Sequence, residues 1–147
     1  MPQPVVRDDR EELCRIADEA VLIQGLAEDI LDAVRARREL AEIARPGGVL
    51  TTRFCTLQTE IPEPADPGLR AIAQSLRETL HHHALFLSCS LDLLGDLRPE
   101  RVQAQIDQID GFGPPAERLQ ALRDLLRTAP RPRASSEPSA HAAPRGP

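Results

Sequence analysis

The spacing of apolar residues predicts an all-α fold: a helical bundle with two long antiparallel helices, two short C-terminal helices and a disordered tail. Two observations carry this. Leu13, Ile16, Ala20, Ile23, Ala27, Ile30 and Val34 follow a 3-4-3-4 spacing, which keeps them on one face of a helix for three heptads. Leu69, Ala73, Leu76, Leu80, His83, Leu87, Ser90 or Leu91, and Leu94 repeat the pattern further along.

The first helix starts at Asp8 or Asp9, which can cap it, with Glu11 and Glu12 in a first turn where acids suit the positive helix end. Leu26, Ala33 and Leu40 widen its seam on one flank, and Ala17 and Leu31 on the other. A stripe this broad suits a bundle better than a two-stranded coil. Arg35, Arg37 and Arg38 are expected near its end and Pro46-Gly47-Gly48 as its stop. At about 36 residues it would be roughly 54 Å long.

Residues 49–61 are rich in Thr and apolar side chains and partly alternate, the one β-leaning stretch of the chain. A lone strand has no mate, so this reads as an extended connector or as half of a pair with a second copy. With the Pro-rich 62–68 it makes 46–68 an extended connector. The second helix is expected from Pro67 to about Gly95, forming an antiparallel hairpin with the first. Leu97 and Arg98 turn the chain, Pro99 opens a third helix, and Val102, Ile106 and Ile109 mark its buried side. Gly111-Phe112-Gly113-Pro114-Pro115 breaks it. A fourth helix, about 115–128, buries Leu119, Leu122 and Leu125 or Leu126. Residues 1–128 thus read as one domain, and 129–147, made of Pro, Arg, Ser and Ala, as a disordered tail.

Composition narrows the function. All 18 basic residues of the 147 are Arg, so a P-loop ATPase or a Schiff-base enzyme on its own lysine is excluded. Three Phe are the only aromatics, too few for base stacking on single-stranded nucleic acid. Three Arg and one Glu of the chain's 18 Arg and 23 acids lie in the tail, leaving 15 Arg against 22 acids before it. That balance disfavours nucleic acid and anionic membranes, whose binding rests on phosphate neutralisation. Cys14, Cys55 and Cys89 are odd in number and contain no CxxC pair, which argues against a zinc ribbon or a disulfide framework. No apolar run follows the first residues and none is long enough to span a bilayer, so a cytoplasmic location is expected.

One stretch carries titratable side chains at helical spacing: Glu78, His81, His82, His83, Cys89 and Asp92. Glu78 and His81 form Glu-x-x-His, the i,i+3 carboxylate–imidazole pair, with His82 on the same flank. This resembles ferritin-like proteins, in particular the small encapsulated type that completes its site across a dimer. The resemblance implies iron or another transition metal at Glu78, His81 and His82, and an inward carboxylate on the first helix, whose seam holds none. Arg77 and His81, followed by a turn and a helix with Ile106 and Ile109, are similar to the dimerisation helices of sporulation-type phosphotransferases and histidine kinases. That resemblance implies phosphate transfer through His81, although His82 stands where an acid is expected. The plainer reading makes His83 a satisfied core or interface histidine that fixes helix register, with His81 and His82 solvated.

Two helices with little aromatic mass make a thin core, so dimerisation into a four-helix core is expected. The sequence therefore predicts a non-enzymatic regulatory or adaptor protein working through helix–helix contacts, a homo-oligomer with an unidentified protein partner. The expected contact surface is Leu26, Ile30, Leu31, Val34 and Leu40 with Leu80, His83, Leu87 and Leu91. A metal-binding bundle and a phosphotransfer module are the alternatives.

Overall fold

The computed structural model describes residues 8–95 and 99–128. Among these every regular element is a helix: α1 (Asp9–Arg35), α2 (Leu40–Glu60), α3 (Pro67–Asp92), a 3-10 turn at Leu93–Gly95, α4 (Pro99–Ile106) and α5 (Pro114–Thr128). The expected leader, the turn at Leu97 and Arg98, and the expected tail lie outside the described residues.

α1 begins as its sequence predicts. The Asp8 side chain accepts the Arg10 N–H at 3.0 Å, and Asp9, Glu11 and Glu12 occupy the first turn. Its end does not follow the prediction. α1 stops at Arg35, about ten residues early, through a Schellman turn. The Arg38 N–H donates to the Ala33 carbonyl and the Arg37 N–H to that of Val34, both at 3.1 Å, with Arg37 left-handed at φ 52°. That position usually holds glycine, so the sequence carries no stop signal there.

The segment expected to be extended is instead helix. α2 runs through Pro46-Gly47-Gly48 to Glu60, so 46–60 is the body of a third long helix, and only residues 61–66 connect it to α3. Packing overrides local propensity here. Ile43, Leu50, Phe54 and Leu57 sit on one buried face. Gly47 is buried where α2 meets α3, and a Cβ added there would lie 2.7 Å and 2.8 Å from the Leu91 methyls. The glycine that reads as a stop is a close-approach position. Pro46 lies in the helix interior, where it removes one backbone donor.

α3 starts at Pro67, with the Asp66 carboxylate accepting the Leu69 N–H at 2.9 Å. α2 packs antiparallel to α1: Arg53 Nε donates to Glu19 at 2.6 Å, and Arg15 meets Glu60 at 3.0 Å near the other end. α3 returns alongside both, with Gly47 near Leu91 and Phe54 near His83. α5 runs down against α1 and α3, from Phe112 beside His83 to Leu126 beside Arg10. The result is an up-down-up-down four-helix bundle of α1, α2, α3 and α5, with α4 inside the last connection. Gly111 and Gly113, at φ 65° and 64°, turn the chain so that Phe112 drops into the core.

The fourfold core expected from two copies is therefore built by one. Leu13, Ile16, Ala20, Ile23, Ala27 and Val34 of the α1 seam are buried, as are Leu76, Leu80 and Leu87 of α3 and Leu119, Leu122 and Leu126 of α5. Leu125 points outward.

Candidate functional site: an apolar groove between α1 and α2

The titratable cluster on α3 divides as helix geometry demands. Glu78, His81 and His82 are exposed. Glu78 accepts a hydrogen bond from Gln74 Nε2 at 3.0 Å, and the His81 and His82 rings stand 6.3 Å apart. Among the described residues no group of three or more His, Cys, Asp or Glu is placed to hold a metal ion.

His83 faces the other way and is fully buried. Its Nδ1 lies 2.7 Å from the Thr79 carbonyl and its Nε2 3.2 Å from Gln24 Oε1. Phe54 and Phe112 flank the ring at 5.2 and 4.5 Å. Burial pushes the imidazole pKa below its usual value and outweighs the Thr79 carbonyl, which raises it; the neighbouring His82 lowers it further. Cys14 is half-buried, its thiol pushed up chiefly by burial, with Sγ 3.6 Å from the Leu126 carbonyl. Cys55 and Cys89 are exposed.

The residues expected to contact a partner separate into two groups. Leu31, Val34, Leu80, His83 and Leu87 belong to the chain's own core, and Leu91 packs over Gly47. They are spent inside the bundle. Leu40 is exposed at the start of α2, and Leu26 and Ile30 remain on the outer side of α1.

Leu26 and Ile30 form one bank of an open groove of about 810 Å³ between α1 and α2. Pro46 and Val49 form the other bank, and Leu50 is the floor. Leu26 is 56% exposed and Val49 63%. Leu22, one turn before Leu26 on the same side of α1, is 72% exposed. Asp29, Glu42 and Arg45 line the rim, and none has an ion-pair partner among the described residues. Toward the other end the two helices are closed by Arg53–Glu19 and Arg15–Glu60, with Glu12 and Glu19 holding Arg15 from its own helix.

The sequence pattern singled out the α1 bank and missed the α2 bank. Pro46, Val49 and Leu50 lie in the stretch that reads as stop and connector. Their signal is the 3-4 spacing of Ile43, Pro46 or Gly47, Leu50, Phe54 and Leu57, which the Pro-Gly-Gly punctuation hides. Along the described residues no helix is long and apolar enough to cross a membrane. Comparison with protein-family models finds none that matches the chain, and comparisons with curated proteins and with solved structures find no match.

Proposed function

We propose that this chain is a small cytoplasmic regulatory or adaptor protein, not an enzyme, and that it acts through helix-on-helix contacts and self-association. One observation supports the reading above the others. A bundle whose core is already closed keeps Leu26, Ile30, Pro46 and Val49 at the surface, lining one groove. Contiguous apolar surface of this kind on a folded chain marks a contact site. A cleft between two antiparallel helices has the shape to take a third helix through anchors spaced three and four residues apart. Leu85 and Phe86 on α3 give a second, smaller exposed apolar pair.

The test is purification of the untagged chain from its own host, with light scattering after size exclusion and mass spectrometry of each peak. A second polypeptide eluting in fixed ratio, and lost on Val49→Asp or Leu85→Asp, supports the adaptor reading. Its absence from every peak overturns the adaptor role, and a single-chain mass in every peak overturns self-association as well.

A further inference from the structure

We infer that the α1–α2 groove is occupied by the same groove of a second copy, in a dimer whose twofold axis runs parallel to the two helices. The inference rests on the reading of this groove as a protein contact and names its partner.

Two of the three rim charges fit one arrangement as a pair, and the third, Glu42, lies one turn from Arg45 on the same bank. Asp29 of α1 and Arg45 of α2 line the groove from opposite banks and have no ion-pair partner among the described residues. The register set by Arg53–Glu19 and Arg15–Glu60 puts them at the same level of the bundle. A twofold axis along the helices keeps every residue at its level and exchanges the two banks. Asp29 of each copy then faces Arg45 of the other, so one interface makes the pair twice, as an isologous contact must. A twofold axis across the helices would instead set the α1 bank against itself and leave Asp29 and Arg45 of the two copies on different sides of the contact, so neither would gain a partner.

Shape and area agree with this occupant. The ridge of Leu22 and Leu26 stands beside a groove floored by Leu50, so each copy offers both a ridge and a groove. The face spanned by the 21 residues of α2 is about 30 Å long and about 20 Å wide. That is on the order of 600 Å² before side-chain relief, close to the ~800 Å² per partner of a standard interface. The ion pairs of Arg15, Glu19, Arg53 and Glu60 lie at one end of this face and supply a polar rim. The chain's own 129–147 segment has only Ala and Pro as apolar side chains, with no aliphatic anchor for such a groove.

The experiment is the solution mass of the full recombinant chain, alone, by sedimentation at about 100 µM and below. The expected mass is twice 16.2 kDa. Leu26→Asp should return it to one chain with the helical circular dichroism intact. Arg45→Asp should weaken the dimer about tenfold, and Asp29→Arg combined with Arg45→Asp should recover it. A single-chain mass for the unsubstituted protein overturns the dimer and leaves the groove free for a foreign helix. A dimer indifferent to Leu26→Asp and to both charge changes overturns the groove itself as a contact.

Discussion

His83 Nε2 lies 3.2 Å from the side-chain oxygen of Gln24, and this single polar contact joins α3 to α1 through the centre of the bundle. The short 2.7 Å approach of Nδ1 to the Thr79 carbonyl fixes the proton on Nδ1, since a carbonyl offers only lone pairs. A neutral ring then presents a lone pair at Nε2, which the Gln24 amide satisfies by turning its NH₂ toward the ring. A doubly protonated ring satisfies both oxygens as they stand, with the Gln24 NH₂ 3.4 Å from Glu28. Gln24 is thus the group that must reorient when His83 gains or loses a proton.

Acid should weaken the fold through His83. Burial lowers its pKa in the folded state, so the unfolded chain binds the proton more readily. Stability from this residue is complete above the unfolded pKa of about 6.5 and is lost as pH falls from there toward the folded value. Urea midpoints should be flat above about pH 7 and decline below it. His83→Asn should be less stable at neutral pH and should show a shallower decline. An unchanged slope in that variant would place the effect elsewhere.

Removing the other partner has a separate cost. Gln24→Leu keeps the volume but leaves His83 Nε2 buried without a hydrogen bond. A buried group stripped of its partner costs about 1–3 kcal/mol, which equilibrium urea unfolding resolves. Gln24→Glu should cost less at acid pH than at neutral pH, because it places a carboxylate beside the ring that acid protonates. Equal cost at both would contradict the Nε2 contact.

The same core shows what was legible in the sequence. The seams of α1 and α3 and the starts at Asp8, Pro67 and Pro99 follow from side-chain spacing and capping chemistry, which are local. His83 reads as a core position because it falls on the α3 heptad. The α1–α2 boundary was illegible because its left-handed residue is Arg37, not glycine. α2 itself was illegible because Pro46 and Gly47 carry a local meaning, stop, that tertiary contact with Leu91 overrules. The groove inherits this: its α1 bank was visible, its α2 bank was not.

Arg37 stores the strain that replaces the missing glycine. A non-glycine residue in the left-handed region is disfavoured by about 1 kcal/mol. Arg37→Gly should therefore raise stability by about that amount, since the side chain is exposed and the Schellman bonds to Ala33 and Val34 are backbone bonds. A thermal midpoint that falls, or helix content that increases as α1 and α2 fuse, would show that the turn is not as described.

Gly47 and Gly48 are adjacent and should respond differently to the same change. A Cβ on Gly48 meets nothing within 4 Å, so Gly48→Ala should gain the usual helix-interior advantage of about 0.5–1 kcal/mol. A Cβ on Gly47 meets the Leu91 methyls below 3 Å, so Gly47→Ala must displace Leu91 and should gain nothing. Gly47→Ala with Leu91→Ala should remove the conflict, giving a coupling that a double-mutant cycle reads directly. Equal effects of the two single changes would mean that α2 and α3 do not approach here.

α5 completes the bundle, and its last turn is held from outside by Arg10. The guanidinium donates to the Leu126 carbonyl from Nε at 3.2 Å and from Nη2 at 2.9 Å. Arg127 meets Asp18 at 2.7 Å just beyond, on a more exposed part of the surface. The last carbonyls of a helix have no partner within it, and a cation there also offsets the negative end of the dipole. Arg10→Met keeps the side-chain stem and removes the donors, so it should cost about 1 kcal/mol. The loss should be local: amide exchange should accelerate over residues 119–128 of α5 and leave α2 and α3 unchanged. Asp18→Asn should do less, because exposed ion pairs contribute little. Acceleration spread over all four helices would instead make Arg10 a determinant of global stability, and no acceleration would remove it as the clamp on α5.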